Sequence, residues 1–143
     1  MYISNLPIQC NNCPSLIILE RFITSIAYTD ALTGLYNRRY LQEYDQKNLK
    51  ELFSIMIVDA DNFKYINDSY GHNAGDTALK KLGDVIKELH PQRGIRYGGD
   101  EFVVLLPNRN REYALQSGEQ LLSRIRGLSF PWGFHVSVSI GIA

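Results

Sequence analysis

Two adjacent glycines, Gly98 and Gly99, constrain the fold of this chain more than any other feature of the sequence. A short run with β-strand character precedes them at residues 95 to 97, and a second apolar run follows at residues 101 to 106. Paired glycines between two such runs are a strong hairpin signal, because glycine readily adopts the positive φ angles of tight turns. The sequence therefore predicts two neighbouring antiparallel strands with an acidic pair beside the turn.

Two further strands and five helices are predicted from hydrophobic periodicity. Residues 53 to 58 are apolar and partly β-branched, and their length suits a buried strand. Residues 135 to 142 alternate between apolar side chains and small or polar ones, as a strand with one buried face does. The helices are predicted at residues 15 to 28, 38 to 50, 63 to 70, 74 to 89 and 111 to 126. A lone strand, a hairpin and a returning strand indicate an α+β fold, with helices packed on an antiparallel-rich sheet. Such a sheet would place the end of the first strand, at residues 53 to 58, beside the hairpin turn.

Length and charge limit the possible partners. The 143 residues suffice for one domain with a short extension. Fifteen basic residues balance fifteen acidic ones, which argues against long-range capture of a nucleic acid or an anionic membrane. The apolar stretch at residues 16 to 27 is interrupted by Glu20 and Arg21, so it is too short and too polar to span a bilayer. We expect no nucleic-acid partner and no membrane contact by this segment, while a small anionic ligand remains possible.

The two cysteines, Cys10 and Cys13, lie close together near the start of the chain. They are too few for a disulfide framework, so we expect a reducing, cytoplasmic location. Their C-x-x-C spacing is compatible with half of a zinc site or with a redox pair, but the sequence has no second pair of cysteines. The interpretation that we favour is an incidental pair in a linker over residues 1 to 14.

The predicted helix at residues 15 to 28 has an apolar stripe with two possible uses. Leu16, Leu19, Ile23 and Ile26 recur at helical spacing. The stripe either packs against its own domain or pairs with a helix of another chain. The stretch is too short to decide by counting heptads, because only sustained heptads indicate a coiled coil.

Carboxylates are concentrated at two predicted strand ends. Asp59 and Asp61 follow the first buried strand, and Asp100 and Glu101 follow the two glycines of the hairpin. Carboxylates that approach one another are costly unless a cation lies between them, and Mg²⁺ prefers carboxylate, carbonyl and phosphate oxygens. For either cluster alone, a solvated turn is the favoured interpretation. The adjacent glycines favour a site for metal-dependent phosphoryl chemistry, because missing side chains let a ligand approach the backbone.

Polar side chains on the next two predicted helices are candidates for nucleotide contacts. Asn67 and Asp76 are residue types that can read a guanine edge, although on helix surfaces both are also ordinary. His72 lies between them in the sequence. The N-terminus of the helix near Lys64 offers main-chain N–H groups and a point charge to a phosphate.

The order and spacing of these residues resemble the GGDEF domain of diguanylate cyclases. The matching segments are Asp59-Ala60-Asp61-Asn62-Phe63-Lys64, Asn67-Asp68, Gly71-His72, Gly75-Asp76 and Arg96-Tyr97-Gly98-Gly99-Asp100-Glu101-Phe102. An N-terminal motif, Asp30-x-Leu32-Thr33-Gly34-Leu35-x-Asn37-Arg38, and a late strand, Ser139-Ile140-Gly141-Ile142-Ala143, are also similar. The resemblance covers roughly residues 28 to 143, and several ordered motifs make it far more specific than one short motif.

The resemblance implies a fold, an activity and partners. The fold would be similar to the palm of nucleotide polymerases and class III nucleotide cyclases. Two domains in a homodimer, each holding one GTP, would condense the two nucleotides into cyclic di-GMP and release pyrophosphate. The 3′-hydroxyl of one GTP would attack the α-phosphate of the other, with Mg²⁺ or Mn²⁺ as cofactor. An upstream sensor domain would control dimerisation.

The resemblance also assigns roles to particular residues. Asp59, the carbonyl of Ala60 and Asp100 would hold the metals. Asp100 would also take the proton of the hydroxyl, with Glu101 assisting, and Lys64 would stabilise charge in the transition state. The residues that would contact the nucleotide are Phe63, Lys64, Asn67, His72, Asp76, Gly98 and Gly99, with Asn67 and Asp76 at guanine.

Three departures from the family pattern modify these expectations. The product-inhibition motif Arg-x-x-Asp is replaced by Leu89-His90-Pro91-Gln92, so we expect no tight feedback inhibition through it. The sequence stops at Ala143, so the domain at residues 29 to 143 would lack its C-terminal helix, and GTP would bind weakly or turn over poorly. The cysteine-containing linker is not part of the family motif.

Two alternatives to the cyclase remain. One is a non-catalytic GGDEF-like domain that binds GTP or regulates a partner. The other is a cyclase that makes a mixed guanine–adenine dinucleotide. Asp76 argues against the latter, because adenine presents a different pattern of donors and acceptors from guanine.

Overall fold

The computed structural model describes residues 14 to 48 and 53 to 143 of the chain. Its elements are α1 (Pro14–Tyr28), β1 (Tyr36–Asn37), α2 (Arg38–Asn48), β2 (Phe53–Ala60), α3 (Phe63–Tyr70), α4 (His72–Leu89), β3 (Gly94–Arg96), β4 (Glu101–Pro107), α5 (Arg111–Arg126) and β5 (Val138–Ile142). The predicted α+β class is confirmed. Cys10 and Cys13 lie outside the described residues, as does the predicted linker up to residue 13.

The five strands form one sheet in the order β1-β3-β4-β2-β5. Only the short β1 runs parallel to its neighbour, β3, and the other three pairings are antiparallel. β2 is flanked by the hairpin strand β4 on one side and by β5 on the other. The predicted position of the end of β2 beside the hairpin turn is therefore confirmed.

Local sequence explains most of the helix ends. The Asn37 side chain accepts a hydrogen bond from the Tyr40 amide (3.2 Å), and the Asn110 side chain accepts one from the Tyr113 amide (2.9 Å), so each asparagine caps the helix that follows. Gly71, at φ 83°, separates α3 from α4. α4 begins directly after Gly71, two residues earlier than predicted. Asp76 therefore lies inside the helix.

The two faces of the sheet are covered unequally. Met56 and Val58 of β2 and Phe102 and Val104 of β4 are fully buried in the larger core cluster, to which α3, α4 and α5 contribute. The opposite face holds a smaller cluster formed by Ile95, Val103 and Leu105, against which aromatic and aliphatic side chains of β1 and α2 pack. Ile57, which alternates with the buried residues of β2, is 51% exposed.

The apolar stripe of α1 is exposed. Within the described residues, none of α1 is buried, and Leu19, Ile23 and Ile26 of the stripe are each more than half exposed. The helix is held at its C-terminal end, where the Asn37 amide group donates a hydrogen bond to the Ala27 carbonyl (2.9 Å). Burial of the stripe against its own domain is thus not observed in this part of the chain, and pairing with another chain stays a prediction. None of the described helices combines the length and the hydropathy that a membrane span requires.

Buried His90 makes the stability of the fold depend on pH. His90 lies where α4 ends, and its Nε2 atom is 3.0 Å from the Ser117 hydroxyl oxygen of α5. Burial lowers the pKa of the imidazole from its usual value of 6.5. The unfolded chain then binds a proton at a higher pH than the folded chain, so this contribution to stability is present above about pH 6.5 and is lost as the pH falls.

We therefore expect the free energy of unfolding to decrease between pH 7.5 and pH 5.5, as measured by urea denaturation. In a His90→Gln variant this part of the pH dependence should be absent, whereas His135→Gln, at an exposed position, should retain it. An unchanged slope in His90→Gln would show that other groups cause the pH dependence.

Candidate functional site

The candidate site lies where β2 ends beside the turn between β3 and β4. In the ladder Asp59 is paired with Glu101, and the Ala60 amide donates a hydrogen bond to the Asp100 carbonyl (3.1 Å). The turn is closed by the Tyr97 amide, which donates to the Glu101 carbonyl (2.9 Å). Two acidic segments that are far apart in the sequence are thereby held side by side.

The two glycines of the turn differ in their surroundings. A Cβ atom on Gly98 would lie 3.0 Å from Oε2 of Glu101, so the Glu101 side chain folds back against the turn at this point. A Cβ atom on Gly99 would meet nothing within 4 Å. The space that a side chain would fill at Gly99 is therefore open to a ligand.

The acidic side chains of the site differ in their exposure and in their hydrogen bonds. Asp59 and Asp100 are half-buried, whereas Glu101 is exposed. Asp61 accepts a hydrogen bond from the Ser139 hydroxyl (2.7 Å), which ties it to β5. Asp61 therefore has a structural partner of its own.

The described residues contain no group of three or more His, Cys, Asp or Glu side chains arranged to hold a metal ion. Asp59 and Asp100 offer two carboxylates, and the main chain of Ala60, next to Asp59 in the chain, offers a carbonyl oxygen. Oxygen donors of this kind suit Mg²⁺ or Mn²⁺, and Mg²⁺ usually takes the rest of its six ligands from water and substrate phosphates. The donor set therefore fits a metal that binds together with a nucleotide.

The candidate nucleotide contacts on α3 and α4 are brought together by close packing at Gly75. A Cβ atom there would lie 1.9 Å from Oδ1 of Asn67 and 3.1 Å from Cζ of Phe63. The missing side chain is thus what allows the Asn67 amide to lie against α4. His72 and Asp76 are exposed and four residues apart, so they lie on the same face of α4.

The start of α3 is arranged to receive an anion. Asn62 occupies the N-cap position in a left-handed conformation (φ 53°), and its side chain makes no capping hydrogen bond. Lys64 is exposed in the first helical turn. The partial positive charge of a helix N-terminus and the Lys64 ammonium group are both favourable for phosphate.

Arg96 links two parts of the site, although the sequence pattern indicated no role for it. Its guanidinium donates hydrogen bonds to the Gly99 carbonyl through Nε (3.1 Å) and Nη2 (2.7 Å). Its Nη1 atom lies 3.3 Å from both carboxylate oxygens of Asp30. The only sequence signal for this link is that both residues belong to motifs shared with the family, without any indication that they meet.

Comparisons with known proteins agree with these motifs. The family model for the diguanylate cyclase GGDEF domain matches residues 27–143. The diguanylate cyclase DgcM of Escherichia coli K12 is 35% identical over 133 residues, covering 87% of this chain and 32% of that protein. The response regulator PleD of Caulobacter vibrioides is 34% identical, covering 82% of this chain and 29% of that protein. The chain thus spans about a third of the length of the curated relatives that it matches.

Solved structures give the same result. The coiled coil and GGDEF domain of DgcB from Caulobacter crescentus, in complex with c-di-GMP, superimposes with a TM-score of 0.78 at 25% identity, covering 90% of this chain and 74% of that one. The diguanylate cyclase SiaD of Pseudomonas aeruginosa, in complex with its activator SiaC, gives 0.76 at 27% identity, with 90% and 54% covered. The palm-like fold, the ordered motifs and the family match together establish that this chain belongs to the GGDEF domain family of diguanylate cyclases.

Proposed function

We propose that this domain is catalytic and condenses two molecules of GTP into cyclic di-GMP. The observation that carries the proposal is the union of the two acidic segments by the hydrogen bond from the Ala60 amide to the Asp100 carbonyl. The family match and the relatives named as diguanylate cyclases support the general activity. The catalytic competence of this chain and the roles of its residues are our inference.

In the proposed site Asp59, the Ala60 carbonyl and Asp100 hold Mg²⁺ or Mn²⁺. A bound divalent cation would neutralise phosphate charge and favour loss of the proton from an attacking hydroxyl group. The Asp100 carboxylate, at the hairpin turn, accepts the proton of the 3′-hydroxyl, and Glu101 assists from the adjacent position. Lys64 lies at the phosphates, where its ammonium group stabilises negative charge as it develops.

The proposed reaction has a simple balance of bonds. A bond forms between O3′ of one GTP and the α-phosphorus of the other, and the bond from that phosphorus to the bridging oxygen breaks. Pyrophosphate leaves with the electron pair, and a second identical step closes the ring. Each nucleotide is both attacker and target, so two copies of the domain must face each other as a homodimer.

The proposed nucleotide pocket uses the contacts between α3 and α4. Asn67 and Asp76 read the guanine edge, through the amide and by accepting hydrogen bonds from the ring N–H and amino groups. His72 contacts the nucleotide beside them, and Phe63 lies at the phosphates with Lys64. Main chain at Gly98 and Gly99 approaches the phosphates closely. The open space at Gly99 and the fit of Asn67 against Gly75 support this arrangement.

We also propose the organisation around the domain. Residues 1 to 14 form a linker, the helix at residues 15 to 28 transmits a signal from an upstream sensor, and residues 29 to 143 form the GGDEF domain. The exposed stripe of α1 supports a role outside the domain. The protein acts in the cytoplasm, where GTP is available.

A non-catalytic domain that binds GTP or regulates a partner is the second candidate function. Such a domain would bind GTP through the same contacts between α3 and α4 but would not turn it over. A cation held by two carboxylates and a carbonyl depends strongly on the nucleotide for its remaining ligands.

One assay separates these functions. The purified protein is incubated with Mg²⁺ and GTP, with and without ATP, and the products are identified by mass spectrometry. Cyclic di-GMP and pyrophosphate in a one-to-two ratio are expected. Calorimetric binding of GTP without any dinucleotide would favour the regulatory domain, and a mixed guanine–adenine product would overturn the guanine assignment.

A further inference from the structure

Arg96 connects the hairpin turn to the segment that follows α1. Its side chain is at the end of β3, and it binds two partners with different edges of one guanidinium group. Two of its N–H groups donate to the Gly99 carbonyl, and Nη1 forms an ion pair with Asp30. Gly99 immediately precedes Asp100, so the guanidinium holds the main chain directly beside the proposed metal ligand.

Asp30 is itself held firmly in its loop. One of its carboxylate oxygens accepts hydrogen bonds from the Thr33 amide (2.9 Å) and the Thr33 hydroxyl (2.7 Å). Its own amide donates to the Leu35 carbonyl, and its carbonyl accepts from the Gly34 amide, both at 2.8 Å. Burial raises the pKa of Asp30, but the hydrogen bonds from Thr33 and the positive charge of Arg96 outweigh it, so the pKa is lowered overall. The carboxylate is therefore ionised and fixed at neutral pH.

The same loop is the attachment point of α1. Asp30 lies two residues beyond the end of the helix at Tyr28. The Tyr28 hydroxyl donates a hydrogen bond to the Glu43 carboxylate, and the Arg39 guanidinium lies 5.5 Å from the centre of the Tyr28 ring. None of α1 is buried, and these contacts of Tyr28 attach its last turn to α2.

We infer that Asp30 and Arg96 are positioning residues, which fix the turn that carries Asp100 and link its geometry to the C-terminal end of α1. The effect of the turn on catalysis rests on the proposed cyclase function. The contacts that hold the turn in place do not depend on that function. Neither residue touches the substrate in this inference. Both act through the main chain of Gly99 and Asp100.

The two sets of contacts made by Arg96 suit the shape of a guanidinium group. The side chains of Arg96 and Asp30 are 17% and 22% exposed, so solvent screens their charges less than those of a surface pair. A planar guanidinium reaches both partners at once, which the single ammonium group of a lysine does not. Loss of the hydrogen bonds from Arg96 would free the Gly99 carbonyl, and loss of the ion pair with Asp30 would release the guanidinium group that holds it. The adjacent Asp100 carbonyl is the acceptor for the Ala60 amide of β2. A shift of the turn therefore moves Asp100 relative to Asp59.

The test compares Asp30→Asn and Arg96→Lys with the parent chain. Asparagine at position 30 keeps an oxygen acceptor for Thr33 but removes the negative charge. Lysine at position 96 keeps the positive charge but cannot contact both Gly99 and Asp30 as a guanidinium group does. Arg124→Gln is the matched control, because it removes an exposed arginine that pairs with Glu88 between α5 and α4 (2.6 Å).

The first readout is hydrogen exchange, which needs no catalytic activity. Exchange at the Tyr97 and Gly98 amides, which both donate to the Glu101 carbonyl, should become at least about tenfold faster in the two variants, as expected on loss of a charge-assisted hydrogen bond. Exchange within α5 should not change, and Arg124→Gln should match the parent at the turn. Parent-like exchange at the turn in both Asp30→Asn and Arg96→Lys would overturn the inference.

The second readout is steady-state kinetics. If the parent makes cyclic di-GMP, kcat should fall by about 10- to 100-fold in both variants, with KM for GTP within about twofold of the parent, because misplacement of a reacting group mainly affects the chemical step. A rise in KM with unchanged kcat would contradict a positioning role. A parent that makes no product would refute the proposed function, and hydrogen exchange alone would then decide the inference.

Discussion

Replacing Asp100 with asparagine is expected to lower the rate of cyclic di-GMP formation by about 100- to 10,000-fold, the range typical of a positioned acid or base. The substitution removes one of two proposed metal-binding carboxylates and the proposed acceptor of the hydroxyl proton. It does not change the shape of the side chain or the main-chain carbonyl that accepts a hydrogen bond from the Ala60 amide. Because Asp100 is half-buried on a turn and outside the core clusters, the free energy of unfolding should change by less than about 0.5 kcal/mol.

Initial rates followed by chromatography, together with urea denaturation, test both parts of this prediction. Asp84→Asn is a matched control, because it removes an exposed carboxylate from α4 while changing net charge by the same amount. Turnover of Asp100→Asn at the parent rate would show that the metal ligands and the proton acceptor lie elsewhere. A large loss of stability would instead make the kinetic result uninformative about chemistry, and Asp100→Ser would then replace it.

Replacing Gly75 with alanine is expected to weaken GTP binding by about tenfold or more, since the loss of one hydrogen bond to a base costs roughly that factor. The new methyl group would lie 1.9 Å from Oδ1 of Asn67, so the Asn67 amide must leave its place against α4. Cζ of Phe63, 3.1 Å from the same point, limits how the two helices adjust. Overpacking of this kind also costs about 1 to 3 kcal/mol of stability.

Calorimetric titration with GTP and thermal unfolding measure these two effects. Gly141→Ala is the matched control, because a Cβ atom at Gly141 meets nothing within 4 Å. In an Asn67→Ala background the Gly75→Ala change should cost less stability, since the clashing amide is gone. Parent-like affinity in Gly75→Ala would remove Asn67 from the proposed guanine contacts.

Much of the fold could be predicted because its signals are local. The predicted helix at residues 111 to 126 coincides with α5, whose first residues follow the cap formed by Asn110. The hairpin and the pairing of β2 with β4 followed from two glycines and strand periodicity. β1 was not predicted, because a strand of two residues has no period to recognise. β5 begins at Val138, later than predicted, because its partner β2 ends at Ala60, which is paired with Val138.

The candidate site was predictable in outline but not in its connections. The meeting of the Asp59 and Asp100 segments follows from sheet topology, which the sequence pattern indicates. The contact between Asp30 and Arg96 joins residues 66 positions apart, and no local pattern specifies it. The fit of Asn67 against Gly75 depends likewise on how two helices pack. The catalytic and binding roles of these residues stay predictions.

The position of β2 in the sheet divides the site into a fixed half and an adjustable half. Asp59 is paired with Glu101 of β4 and with Ser139 of β5, so its backbone cannot move without disrupting two ladders at once. The turn that carries Asp100 is held instead by a few hydrogen bonds, among them those from Arg96 to the Gly99 carbonyl. A signal that regulates the proposed cyclase would therefore act most readily by moving the turn, while the end of β2 stays in place.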